Sequence, residues 1–161
     1  MSFNSKKTIV SMGAGVFMLI AYIVYAFGQY SPAPEDIKSW AVAMLVFIGI
    51  SIAAVIIVQI VFHIATAIGI AIKEQELDRE KIDRRFSAIT MEDERDKLIS
   101  LKSSHLSSII AGTGFVAALF SLVFGASAVL ALHIIFCSCA AASTAEGLAS
   151  VYFYEKGIRN G

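Results

Sequence analysis

Four long apolar runs, with one strongly charged segment among them, constrain this chain more than any other feature. The runs cover residues 8–28, 40–72, 106–124 and 127–152. The hydrocarbon core of a bilayer is about 30 Å thick, so a helix rising about 1.5 Å per residue needs about 20 apolar residues to cross it. Each run meets or approaches that length. Hydrophobic residues make up 57% of the 161, against roughly 45–50% in a soluble domain. The excess has to face something other than water. The expected fold is all-α: a polytopic membrane four-helix bundle, one domain over residues 1–161.

The first run has Lys6 and Lys7 before it, as a cleaved signal does. Its apolar stretch is longer than the roughly 7–15 residues of a signal core. It ends in Tyr25-Ala26-Phe27-Gly28-Gln29-Tyr30, with no small-x-small cleavage site. A retained span is expected. The second run is too long for the bilayer alone, at about 50 Å of helix. It contains no proline, and its glycines, Gly49 and Gly69, are isolated.

Formal net charge is zero, from 13 basic and 13 acidic residues, yet residues 73–102 hold 8 of the former and 9 of the latter. Helix 2 is expected to continue past the membrane surface into this segment, with Glu80/Arg84 and Arg79/Asp83 four residues apart as supporting pairs. A break at 87–90 follows. Thr90 then caps a new helix, with Glu92, Asp93 and Glu94 at its positive end. Helices 2 and 3 would thus extend from the membrane as a charged helical hairpin over 73–105. Asp96 can approach Arg84 or Arg85 across it. The cluster Asp93, Glu94, Arg95 and Asp96 reads either as a lock on that hairpin or as a surface for a divalent cation or a basic partner segment.

Basic residues gather in cytoplasmic loops. Lys6 and Lys7, the central segment, and Lys156 with Arg159 fall on one side of a four-span layout. Both termini and the hairpin are therefore expected in the cytoplasm, and the protein in the cell (inner/cytoplasmic) membrane. Trp40, Tyr30 and the Pro32/Pro34 turn would lie at the outer interface, Tyr152 and Tyr154 at the inner one. A tight hairpin is expected at Gly125.

Ionisable residues inside a span are costly and are functional by default. Glu146 and His63, with Gln59 one turn away, are expected in the cytoplasmic half of the bilayer. A His–Glu pair there can glue helices, carry protons or ions, or ligate a metal. His133 and Cys137 share a face of the fourth span and form a weak metal pair. A closed zinc site needs four ligands. His105 has an interfacial position. A haem held by His63 and His133 is supported only by residue type. Cys137 and Cys139 point about 200° apart on a helix and do not pair with each other. Ser108/Gly112, Gly114/Ala118 and Ala141/Ala145/Ala149 are small-residue stripes that suit helix packing within the chain or in a homo-oligomer. No phosphate loop, nucleophile elbow or nucleic-acid surface can be read. No cofactor and no enzymatic activity are expected.

The stretch Asp93-Glu94-Arg95-Asp96-Lys97-Leu98-Ile99, with Leu101 and Lys102, resembles the DERD motif before the third span of an uncharacterised prokaryotic family of small four-span membrane proteins. Ile57-Val58-Gln59-Ile60-Val61-Phe62-His63 resembles the family's second span. Glu146 followed by Tyr152-Phe153-Tyr154-Glu155-Lys156-Gly157 resembles its fourth. The chain departs at Glu155-Lys156, where a basic pair is usual, and at Gln59, where an acid is frequent. The resemblance implies a four-helix membrane protein and no defined activity. Three functions follow as expectations: a non-enzymatic accessory or regulatory membrane subunit acting through the hairpin, a small ion or proton channel or transporter using His63 and Glu146, or a membrane metal- or haem-binding protein.

Overall fold

The structure is a computed structural model that describes residues 3–74 and 94–156. The described secondary structure is four helices: α1 (Phe3–Ala26), α2 (Ile37–Glu74), α3 (Glu94–Val123) and α4 (Ala128–Lys156). All four are long and apolar enough to cross a membrane. Most of the expected charged hairpin lies outside the described residues. So do the Glu80/Arg84 and Arg79/Asp83 pairs, Asp96 with Arg84 or Arg85, the Thr90 cap and Asp93. What is described are its two roots: α2 runs to Glu74, and α3 begins at Glu94, well before the third apolar run.

The helix ends follow from local chemistry. Asp36 caps α2: one carboxylate oxygen accepts the Ser39 amide at 3.1 Å and the other the Ser39 hydroxyl at 2.6 Å. That satisfies a donor otherwise orphaned at a helix start. Gly125, at φ +82°, ends α3. Its amide donates to the Leu122 carbonyl at 3.0 Å, and the Ala126 amide donates to the Ser121 carbonyl at 2.9 Å. This is the paired closure that a left-handed residue permits. Ser127 opens α4 at once, its hydroxyl accepting the Leu130 amide at 3.2 Å. The α3–α4 turn is thereby held to a few residues.

α4 packs along both α3 and α1, and α1 packs also along α2. α2 touches α4 only briefly; Trp40 meets His133 in that region. Among the described residues α2 and α3 share no packing. The spatial order is α2–α1–α4–α3, an open row with one partial closure. Small residues set the close approaches. A Cβ at Gly114 would land on the Ser138 side chain of α4, and one at Gly147 would lie 3.0 Å from the Met12 side chain of α1. Gly114 and Ala118 are buried, whereas Ser108 and Gly112 are exposed. Only the second of the two stripes on α3 is used within the chain. On α4, Ala142 and Gly147 are buried, and the predicted stripe begins at an exposed Ala141. Large apolar side chains stay uncovered on all four helices, among them Phe17, Leu45, Val61, Leu119 and Leu130.

Gly114→Val is expected to destabilise the α3–α4 pair by about 1–3 kcal/mol or more, the usual cost of overpacking. Gly112→Ala, whose new Cβ meets nothing, should change stability little. Ser103 is fully buried with its hydroxyl unpartnered. Ser103→Ala should be neutral or stabilising, since it removes an unsatisfied group. Unfolding of the three variants in detergent measures each.

Candidate functional site

The polar groups singled out in the spans do not converge. Gln59, His63 and Glu146 are half-buried and His105 is exposed. The Trp40 and His133 rings lie 4.5 Å apart, which fixes the relative level of the two parallel helices α2 and α4. His63 then lies about 34 Å along α2 from that contact and Glu146 about 20 Å along α4, at 1.5 Å per residue. An offset of about 15 Å along the axis separates them. The structure therefore does not bring His63 and Glu146 into one pair.

What it does assemble is an aromatic cluster where α1, α2 and α4 meet. Tyr22, 1% exposed, has its ring 4.2 Å from Phe136, 5.3 Å from Phe47 and 6.1 Å from His133. Tyr25 adds edges towards Trp40 and Phe47. Offset and edge-to-face contacts of this kind are favourable beyond simple burial. Trp40 is buried, and its indole N–H donates to the Ala33 carbonyl at 3.1 Å. Trp40 is part of the core, and its donor ties down the Pro32–Pro34 loop. His133 places Nδ1 2.8 Å from the Val129 carbonyl oxygen. That contact requires a proton on Nδ1 and leaves Nε2 outside the bond. The Tyr22 hydroxyl is buried and unpartnered.

Beneath this cluster a crevice of about 540 Å³ separates α1, α2 and α4. Leu19 and Met12 of α1, Met44 and Ile48 of α2, and Leu132 and Cys139 of α4 represent its walls. Its polar lining is Ser51, Ser143, Thr144 and Cys139. The Ser51 hydroxyl donates to the Phe47 carbonyl at 2.7 Å and the Thr144 hydroxyl to the Ala140 carbonyl at 2.9 Å. Both spend their proton inside their own helix, as hydroxyls in lipid-facing helices do, and turn oxygen lone pairs outwards. No signal in the sequence marks this crevice: it arises from the divergence of α2 and α4.

At the opposite end from the aromatic cluster, Arg95 donates to the Tyr154 carbonyl at 3.3 Å. A guanidinium on the last turn of α4 meets the negative end of its dipole. Lys156 lies 5.2 Å from the Tyr152 ring centre, within cation–π range. The described part of the DERD motif, Glu94, Arg95 and Asp96, therefore sits beside the C-terminus of α4. Cys137 and Cys139 are free and exposed. Among the described residues no three His, Cys, Asp or Glu side chains gather as a metal site requires.

The chain matches no family model, no curated protein and no solved structure. The Ser39 hydroxyl, followed by the Ser39 amide, holds the exposed Asp36 carboxyl below the usual carboxylate range. A carboxyl whose folded pKa lies below its unfolded value contributes stability above about pH 4 and loses it as pH falls through the folded value. Trp40, the only tryptophan in the chain, reports on this cap. Its fluorescence should hold steady down to about pH 4 and change below it. Asp36→Ala should abolish that acid transition.

Proposed function

We propose that the chain is a multi-pass protein of the cell (inner/cytoplasmic) membrane, with both termini and residues 73–102 in the cytoplasm. It acts as a non-enzymatic accessory or regulatory subunit through the charged segment. The observation that carries this reading is the uncovered apolar surface of all four helices. Only lipid or other membrane helices can cover it, and an α-helix is one of two structures that satisfy their own backbone there. The open order of the helices leaves α2 and α3 with long free flanks, which suits association with a partner membrane protein or a second copy. The resemblance to a four-span family with a DERD motif agrees with this reading.

A channel using His63 and Glu146 is less well supported, because the two lie about 15 Å apart in level and the crevice walls are mainly apolar. A metal- or haem-binding function has only the His133–Cys137 pair behind it.

Alkaline carbonate should leave the protein in the membrane fraction. In sealed cells, cysteines placed at Ser87 and Ala33 should be labelled from opposite sides, Ser87 from the cytoplasm. Release by carbonate, or labelling of both from one side, overturns the membrane reading. Asp93→Lys with Asp96→Lys should shrink the native complex while leaving the protein resistant to carbonate. A complex of unchanged size removes the role of the charged segment. Proteoliposomes that carry a proton flux abolished by Glu146→Gln would favour the channel instead.

A further inference from the structure

We propose that the crevice between α1, α2 and α4 binds an uncharged lipophilic alcohol, its hydroxyl at the level of Ser51, Ser143 and Thr144 and its apolar body extending towards the aromatic cluster. The proposal rests on the membrane reading above and adds a ligand site to it. At about 540 Å³ the crevice falls within the roughly 300–1,000 Å³ of small-molecule sites. Among the described residues that line it, none carries a charge. An ion there would meet no counter-charge, at a cost that burial makes large, so the occupant is neutral. Most of the wall is apolar, with Met18, Leu19, Met44, Ile48, Leu132 and Phe136 in it. Its methionines can repack around an irregular ligand.

Apart from the weakly polar Cys139 thiol, the polar side chains of the lining gather at one end. Ser51 lies eleven residues along α2 from Trp40, and Ser143 ten along α4 from His133. The Trp40–His133 contact puts both at one level, about 15 Å inward of the aromatic end, with Thr144 beside them. The third wall leaves room there. Tyr22 meets Phe136, and Gly147 lies against Met12, so α1 and α4 run antiparallel. Gly15, one turn outward of Met12, is therefore level with Ser143 and Thr144. It lines the crevice, and a Cβ on it would meet nothing. The space at the polar end is thus open on the α1 side. The Ser51 and Thr144 hydroxyls have donated their protons to their own helices and offer only lone pairs. Two acceptors at one level call for a ligand that donates. A hydroxyl meets that need, whereas an ether, ester or ketone brings no proton. The polarity also runs against an ordinary phospholipid. Ser51 lies fourteen residues into α2, about 21 Å from its start, near the middle of a bilayer core about 30 Å thick. A phospholipid keeps its polar group at the interface and brings only chain ends to that depth.

Decanol carrying a photoreactive diazirine on its chain is the probe, used on the full chain in nanodiscs of zwitterionic lipid. Decanol and its methyl ether, nearly equal in shape but without the hydroxyl proton, are the competitors. Adduct positions are read by mass spectrometry. Adducts on the buried Met44 and on Leu19 should be suppressed by excess decanol, whereas adducts on the exposed Leu119 of α3 should not. The ether should compete roughly two- to tenfold more weakly, the size expected for one hydrogen bond. Ser51→Ala with Ser143→Ala and Thr144→Ala should bring alcohol and ether to equal potency. Gly15→Leu, which fills the polar end from the α1 side, should remove the suppressible adducts. Unaltered elution and Trp40 emission show that a variant is folded, and where one is not, the ether comparison in the natural chain still decides. Absence of suppressible adducts at Met44 and Leu19, an ether as potent as decanol, or undiminished adducts in folded Gly15→Leu overturns the proposal. An equally potent ether would identify the crevice as a plain acyl-chain groove. A protein that resists carbonate and shows no suppressible adducts loses this site alone, whereas release by carbonate removes the membrane reading itself.

Discussion

Close approach along α4 holds the described helices together. In the proposed membrane setting there is no hydrophobic drive between helices, and association depends on backbones coming near enough for dispersion contacts and on shape. Gly114 lets α3 settle against Ser138 of α4, and Gly147 of α4 makes room for Met12 of α1. These contacts lie on different sides of α4, so that one helix holds two neighbours. α2 has no such residue in play. Its glycines, Gly49 and Gly69, face open space. Its buried residues, Trp40 and Met44, both lie near its start. A helix whose buried residues gather at one end, and which meets α4 only briefly, leaves room beside the others, and the crevice lies there.

The four long apolar helices were legible from length and hydropathy, because helices that could cross a bilayer need about 20 apolar residues in a row. The turn at Gly125 was legible because a glycine flanked by apolar runs has few other uses there. Asp36-x-x-Ser39 ahead of an apolar run is a readable start signal, and it forms the cap of α2. The burial of Trp40 was not legible. A tryptophan at the end of a span reads as an interfacial anchor by composition, and only the arrival of Tyr25 and His133 turns it into core. The choice between Ser108/Gly112 and Gly114/Ala118 was equally closed to sequence, since both have small-xxx-small spacing and only tertiary contact selects one.

The His63–Glu146 expectation shows where one-dimensional depth fails. Each residue was placed by counting to the end of its own run, which assumes that all runs end at one plane. α2 is far longer than the bilayer core, so its end is a poor ruler. The Trp40–His133 contact is a better one, and it separates the two residues by about three turns. Candidate site residues on long helices are therefore legible as types before they are legible as neighbours.

Polar atoms in these helices fall into two groups, and the division explains where ligand chemistry can reside. Ser51, Thr66, Ser108, Thr113 and Thr144 donate to carbonyls three or four residues back and cost little. They need no tertiary partner. Tyr22 and Glu146 cannot close on their own backbone in this way, and Ser103 does not. Ser103 is sealed between α3 and α4, and Tyr22 is locked among rings, so their oxygens are inaccessible. Glu146 is half-buried and has no hydrogen bond or ion pair among the described residues. A costly group survives in a membrane span when something compensates it.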